Sequence, residues 1–434
     1  MSPLKMSCGT FKVSQHCCNG CRDVFHDQGR RRSFIVNWRI TEPAHLLDAV
    51  RLSLAEGGRF LAGRIAPDGP ILAEPNLSYI HKASWGMFCA GVDHGIIGRL
   101  LDWAGTEALR ENGDFYLPGE RPEYKDLQRL YRPLNFCKVA AWIDHPLVRR
   151  PGVIERILQY QHQPSGGVFH FIGDDPNNVE EPPSMGTLNT TFFGHLMIAL
   201  EMRERAIAAG EWVRRWVDAN RAPMADGRLY TQMTPDGRLV TEVAPGEKIS
   251  KVVDTSSPKQ EFWNGGTAMA YLAVLYDVMR DSWGAAEDQA RPYLDAALAL
   301  LDFEAAMPLD TYLWPSKCKV GWGAGELLRV LVKYNLGDEP TREKAYRVAQ
   351  RVAVFTFMDN QLPHGGWSLM HYPLDERCPE MAYSYKPLKN LVRVPQQRIE
   401  GSQTIFLSGE EITGEFLGEM KSIEQGVAAW LATG

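Results

Sequence analysis

The sequence has no run of about 18 apolar residues, so no segment reads as a transmembrane helix. Its first residues lack the basic-then-apolar pattern of a secretory leader. Basic residues number 47 against 53 acidic ones, and the net charge of −6 excludes the basic face that nucleic acid requires. There is no Gly-x-Gly-x-x-Gly opening a helix, no P-loop, no Gly-x-Ser-x-Gly elbow and no His-Glu-x-x-His. Nucleotide cofactors, serine hydrolysis and zinc proteolysis therefore have no positive support, and no cofactor is expected. Strand signals are few: 168–171, 228–233 and 238–243, the last two flanking Thr234-Pro235-Asp236-Gly237 as a hairpin. Eight cysteines are mostly scattered or set in apolar helical stretches, as Cys89 and Cys137 are. That pattern reads as reduced, buried thiol and a cytoplasmic setting.

What is present is helix. Apolar residues recur at three- and four-residue intervals over 43–63, a segment reaching Trp103, and 126–143, 146–161, 187–208, 209–219, 262–280, 285–306, 319–335, 340–358 and 418–432. Residues 1–33 are polar and basic and form a loosely ordered extension. Cys17 or Cys18, Cys21 and His26 supply three possible zinc ligands there but no second pair, so no metal site is assigned. Residues 34–434 read as a single domain.

The central stretch is 161–200. It holds a Pro-Ser-Gly-Gly turn, Val168-Phe169-His170-Phe171, an acidic proline-rich loop over 173–184, and the small-polar helix start Gly186 to Thr191. Long loops in compact domains are disproportionately functional, which favours a pocket wall over a plain surface loop pinned by aromatics only narrowly. Gln163-Pro164-Ser165-Gly166-Gly167-Val168-Phe169 matches Gln361-Leu362-Pro363-His364-Gly365-Gly366-Trp367 as a weak repeat. Asp68-Gly69, Gly113-Asp114-Phe115 and Asp226-Gly227 mark further turns, about one helix pair apart. Around twelve paired helices predict an all-α fold, an (α/α) toroid of about six pairs with short hairpins in its loops, whose loops at one end form the mouth.

With those residues in view, Gln163 to Phe169 with Gly186 to Thr191, and Gln361 to Trp367, resemble the α/α-toroid superfamily of terpenoid cyclases and protein prenyltransferases. Glycan-active toroids are similar too, with rough counterparts of Phe262 to Ala270 and of Trp314-Pro315-Ser316-Lys317. The resemblance implies fold more than function. The protonating Asp-x-Asp-Asp motif of class II cyclases is absent. Asp174-Asp175-Pro176-Asn177-Asn178 is not a complete magnesium-binding motif, and no prenyltransferase-like zinc site is evident. The resemblance therefore implies a divergent toroid: a cofactor-independent cyclase or isomerase of microbial natural-product pathways. It would take a small, apolar terpenoid or polyketide-like substrate, for example in a [4+2] cycloaddition. The alternative is a glycan-active hydrolase or lyase with paired carboxylates, drawn from Asp174 or Asp175 with Asp254 or Glu261. A non-catalytic scaffold is the third reading, and a filled cavity would favour it. Oligomeric state is open.

Such cyclisation needs a shaped, dry cavity and a few donors or acids. The catalytic candidates are Tyr79 and His81 before a helix, His170 with its charge raised by Asp174 or Asp175, Asp175 itself, and Glu261. Tyr79 and His81 read equally as packing and loop support, His170 as a structural histidine, and Glu261 as a helix-start charge. The substrate-binding candidates are Trp85, Tyr131, Asn135, Phe169, Asn189, Trp263, Trp314, Lys317, Trp322, Trp367 and Tyr372. Tyr131, Asn135 and Lys138 share one helix face, for which a solvated polar face is the preferred reading. Asn189 fits a helix cap. Trp314, Lys317, Trp322, Trp367 and Tyr372 fit a pocket rim or helix-end packing.

Overall fold

The computed structural model describes residues 42–72, 76–120, 128–170, 172, 185–243, 251–256, 261–367 and 409–433. Twelve α-helices lie among these residues: α1 (Pro43–Ala62), α2 (Ala83–Cys89), α3 (His94–Trp103), α4 (Gln128–Trp142), α5 (Val153–Leu158), α6 (Thr187–Ala199), α7 (Arg203–Ala225), α8 (Trp263–Asp281), α9 (Glu287–Ala305), α10 (Cys318–Lys333), α11 (Glu339–Arg351) and α12 (Gly409–Leu431). The even-numbered helices form a closed ring. Each packs on the next, α2 on α4, then α6, α8, α10 and α12, and α12 returns to α2. The odd-numbered helices pack outside them. The (α/α) toroid of six pairs is therefore the observed fold.

Small residues let the inner helices approach. A Cβ on Gly86 would meet the backbone of Gly414, one on Gly325 the backbone of Ser422 and Ile423, and one on Gly266 the backbone of Lys319 and Val320. These three crossings join α2 to α12, α10 to α12 and α8 to α10.

The two ends of the barrel differ. Connections from inner to outer helices are the short segments 90–93, 143–152, 200–202, 282–286 and 334–338. Each holds a residue in the left-handed region: Gly91, Asp144, Glu201, Gly284 and Asn335. Four close with the same bond, Val92 N–H to Met87 O, His145 to Ala140, Met202 to Met197 and Leu336 to Leu331, at 2.7–2.9 Å. This is the six-to-one bond of a Schellman stop. The sequence expectation of one helix over 187–208 fails here because Glu201, at φ 57°, ends α6. The continuous helix expected up to Trp103 breaks likewise at Gly91, and Asp93 caps α3 by accepting from Gly95 N–H at 2.8 Å.

The connections from outer to inner helices are longer: 63–82, 104–127, 159–186, 226–262, 306–317 and 352–408. All six inner helices begin at this end, so their positive dipole ends face it. The short strands lie there too. β1 (Ile65–Ala66) pairs with β2 (Gly69–Pro70), β3 (Met185–Gly186) with β5 (Gln232–Met233), and β4 (Arg228–Tyr230) with β6 (Val252–Asp254), all antiparallel. The expected hairpin over 228–243 is kept only next to its turn, where Val240 N–H also donates to Gln232 O at 3.0 Å. Thr234 N–H donates to Arg238 O, and Met233 bridges to Leu239, while the flanking strands take partners elsewhere.

The repeat is real, but its register differs from the expected one. The glutamine matching Gln361 is Gln161, not Gln163, with one extra residue in the earlier copy. Gln161 Nε2 donates to Gly166 O and to Arg205 O on α7; Gln361 Nε2 donates to Gly365 O and to Ser53 O on α1. Val168 N–H donates to Thr190 Oγ1 on α6, and Trp367 N–H to Thr413 Oγ1 on α12. The turn glycines Gly166 (φ 78°) and Gly365 (φ 93°) lie against the backbone of Ala208 and of Glu56. In both copies the loop is locked to the following outer helix. For Gln361 that helix is α1, so the lock closes the ring.

Candidate functional site

Side chains from the inner helices converge on the barrel axis. At the loop end, Lys82 enters just before α2 and pairs with Glu411 and Glu415 of α12, each at 2.5 Å. Lys319 of α10 pairs with Glu415, and with Glu419 at 3.2 Å. Glu411, Glu415 and Glu419 are four residues apart, so they share one helix face with about 6 Å of rise between neighbours. Glu411 is the most exposed of them, at 13%, and Glu419 is fully buried. Burial pushes the Glu419 carboxyl upward, against the opposing pull of Lys319 and Lys82. Burial also works against the Lys82 ammonium, but Glu411, Tyr131 and Glu419 reverse this and hold it above the usual lysine range. Among the described residues, the Glu419 carboxylate is held only by Lys319 and the neighbouring Cys318.

Tyr131 of α4 closes this layer. Its ring stands edge-on to Phe192 at 4.7 Å and to His81 at 5.4 Å, and the Lys82 ammonium lies over it at 5.2 Å. Its buried hydroxyl has no partner among the described residues. Burial raises the phenol well above the ordinary range while Lys82 opposes, so it acts as a donor. His81 is buried, and its Nδ1 lies 3.0 Å from Ser78 O. A carbonyl can only accept, so Nδ1 carries the proton and Nε2 keeps its lone pair. Burial, then Lys82 and Arg132, keep this imidazole neutral. Cys318 at the start of α10 is within 4.8 Å of the Glu415 and Glu419 oxygens, a donor set of the kind that holds a divalent cation, with Lys319 as the resident competitor.

Deeper in the axis the lining turns aromatic. Trp85 packs on Phe192 at 5.7 Å and on Trp322 at 5.2 Å, and His195 stacks on Trp322 at 5.0 Å and meets Tyr271 at 5.2 Å. Lys138 lies among these rings, 3.8 Å from the Trp85 centroid and 4.8 Å from Phe192. The Tyr131–Asn135–Lys138 face is thus not solvated. All three are buried, because α4 is an inner helix. Asn135 donates back to Tyr131 O at 2.9 Å. Asn189, buried and one turn from Phe192, has no partner for either amide atom among the described residues and does not serve as a cap.

The other expected site residues scatter. Tyr79 is buried in a short 3₁₀ turn, 77–79. His170 packs against Gly186, and burial together with Lys251 drives its pKa down to about 4, opposite to the expected rise. Asp175, with Asp174, and Tyr372 fall outside the described residues. Glu261 is half-buried ahead of α8, where its carbonyl accepts from Asn264 Nδ2. Asp254 accepts from the Ser256 N–H and hydroxyl. Phe169 and Trp263 are half-buried at the loop end. Trp314 is buried. Lys317 is not at a rim: it is fully buried and paired with Glu304 at 2.6 Å, under Phe262 and Tyr312. Trp367 is buried in the ring-closing lock and donates to Phe357 O at 2.8 Å. Sequence reasoning missed Cys318, Lys319 and the three glutamates. The signal was available as Glu at i, i+4 and i+8 within an otherwise apolar, glycine-rich segment.

No protein-family model matches the chain, and no curated protein matches it. Among solved structures, it is similar to a polysaccharide lyase at 14% identity and TM-score 0.46, over 90% of this chain and 98% of that one. It is also similar to a possible member of the GH105 family from Klebsiella pneumoniae subsp. pneumoniae MGH 78578. That likeness has 11% identity and TM-score 0.46, over 96% of this chain and 99% of that one. No helix among the described residues is long and apolar enough to cross a membrane.

Proposed function

We propose that the protein is a carbohydrate-active enzyme that cleaves a glycosidic bond by acid–base chemistry at the loop end of its barrel. The observation that carries this reading is the pairing of Glu415 and Glu419. Glu419, with its carboxyl pushed up by burial, is the proton donor to the leaving oxygen. Glu415, flanked by the ammonium groups of Lys82 and Lys319, is the carboxylate of the pair. Their oxygens approach within 4.8 Å, close to the spacing of about 5 Å at which two carboxyls serve as acid and nucleophile. Tyr131 hydroxyl and His81 Nε2 supply a donor and an acceptor for sugar hydroxyls. Phe169 and Trp263 offer stacking faces at the entrance. Two lysines and three glutamates make a costly lining for an apolar substrate, because each buried charge lacks compensation from such a guest.

The apolar cyclase reading retains one specific support, the stack of Trp85, Phe192 and Trp322 below the charged layer. A single panel separates the two. Purified protein is offered oligosaccharides and aryl glycosides on one side, and apolar terpenoid or polyketide aldehydes and acids on the other. The glycan reading expects sugar release that Glu419→Gln and Glu415→Gln both abolish. Thermal stabilisation by apolar compounds alone, with no sugar released, overturns it.

A further inference from the structure

Four lysines are buried among the described residues, and three have carboxylate partners. Lys82 pairs with Glu411 and Glu415, Lys317 with Glu304, and Lys319 with Glu415 and Glu419. Lys138 makes no ion pair or hydrogen bond to a carboxylate. Its amine is surrounded by rings, with centroids at 3.8 Å (Trp85), 4.8 Å (Phe192), 5.2 Å (Trp142) and 5.9 Å (Trp322). A desolvated lysine in an aromatic pocket is the arrangement that makes an amine nucleophilic, because burial without a counter-ion favours the uncharged form.

We propose that Lys138 is a carbonyl-capturing amine that forms an imine with a small aldehyde or ketone, admitted past Trp142 at the short-turn end of the barrel. Trp142, the last residue of α4 and 40% exposed, has its ring centroid 5.2 Å from the amine. In the step, the Nζ lone pair attacks the carbonyl carbon and the C=O π pair moves to oxygen. The oxygen takes up two protons, both of them from the nitrogen by relay, and leaves as water as the C=N bond forms. Burial is the influence that favours the uncharged amine, against the pull of two of the groups that face it. Burial lowers its pKa from 10.5 to about 7, Cys89 of α2 and Glu419 of α12 pull it upward, and Lys319 of α10 pushes it down. His195 of α6, kept neutral by burial and by Lys138, is the neighbouring group able to relay the protons. The imine forms at a different atom from the glutamate pair, although Glu419 acts on the amine's charge.

The test is reductive trapping on the full chain. Native protein is incubated at pH 7 with glycolaldehyde and cyanoborohydride, and the adducts are mapped by peptide mass. The expected result is at least tenfold higher occupancy on Lys138 than on the exposed Lys333 or the half-buried Lys344 and Lys421. That preference disappears at pH 10, where surface lysines also lose protons, and in urea-unfolded protein at pH 7. Adducts on surface lysines with none on Lys138 overturn the proposal. Lys138→Arg removes the favoured adduct; if that variant fails to fold, the wild-type map still decides.

Discussion

At the loop end of the barrel axis, two lysines share three glutamates; deeper, a third lysine lies among rings and a neutral imidazole and forms no ion pair among the described residues. Both arrangements bury an amine out of water, yet the outcomes are opposite. The carboxylates hold Lys82 charged, while the rings leave Lys138 near neutrality at physiological pH. Attraction to an aromatic face recovers about 0.5–2 kcal/mol, too little to offset the loss of hydration, whereas a close carboxylate recovers enough. A buried amine's charge is thus set by its nearest anion and not by its depth.

The sharpest way to break the contrast is to remove the anion that the two upper lysines share. Glu415→Ala takes the shared carboxylate from both ammonium groups, leaving Lys82 with Glu411 and Lys319 with Glu419, and the loss of unfolding free energy should be about 3 kcal/mol by denaturant titration. A loss below about 1 kcal/mol would mean that the charged layer is wetter than its burial indicates. Similar in size is the first of a matched pair. Lys82→Met should cost about 3 kcal/mol, because it leaves Glu411 and Glu415 short of a partner. Lys138→Met should be neutral or stabilising, because it removes an uncompensated charge and keeps the packing. Equal costs would erase the distinction.

The pH dependence sharpens the same point. Lys138 binds its proton less tightly when folded, so between about pH 7 and 10.4 the unfolded chain holds more protons. Stability from this group therefore rises with pH across that window, by up to roughly 1.4 kcal/mol per unit, and is level outside it. The stability gap between Lys138→Met and wild type should narrow as pH is raised from 7 to 10. Cys89 and Glu419 face the same amine, so the comparison is made against the variant and not on wild type alone. The smallest expected effect concerns the two loop locks. Gln161→Ala and Gln361→Ala should each cost about 1–2 kcal/mol, and should match, because they break equivalent hydrogen bonds. A much larger loss for Gln361 would show that the seam of the ring carries more than its internal counterpart.

The fold was legible because helical periodicity survives in every long element and the left-handed turn glycines are visible. The expected ends at 143 and 335 fall beside the left-handed Asp144 and at Asn335, but the stop at Glu201 was missed, since its left-handed cap is built from a non-glycine residue, and α6 was read nine residues too long. The repeat was seen, but a one-residue insertion hid its register. Of the candidate site, Tyr131, Asn135, Trp85 and Trp322 could be named from residue type. Their burial could not, since a polar face on an inner helix has the same spacing as one on an outer helix. Glu411, Glu415 and Glu419 were passed over for a related reason: expectation started the last helix at 418, about two turns too late to bring all three onto one face.

Helix α12 packs against α10, α2 and α1 and carries all three glutamates of the charged layer. It is also the last of the twelve to leave the ribosome. Without it α2 and α10 each lose a neighbour, and Lys82 and Lys319 lose their counter-ions. Closure of the ring and neutralisation of its interior thus rest on one and the same helix.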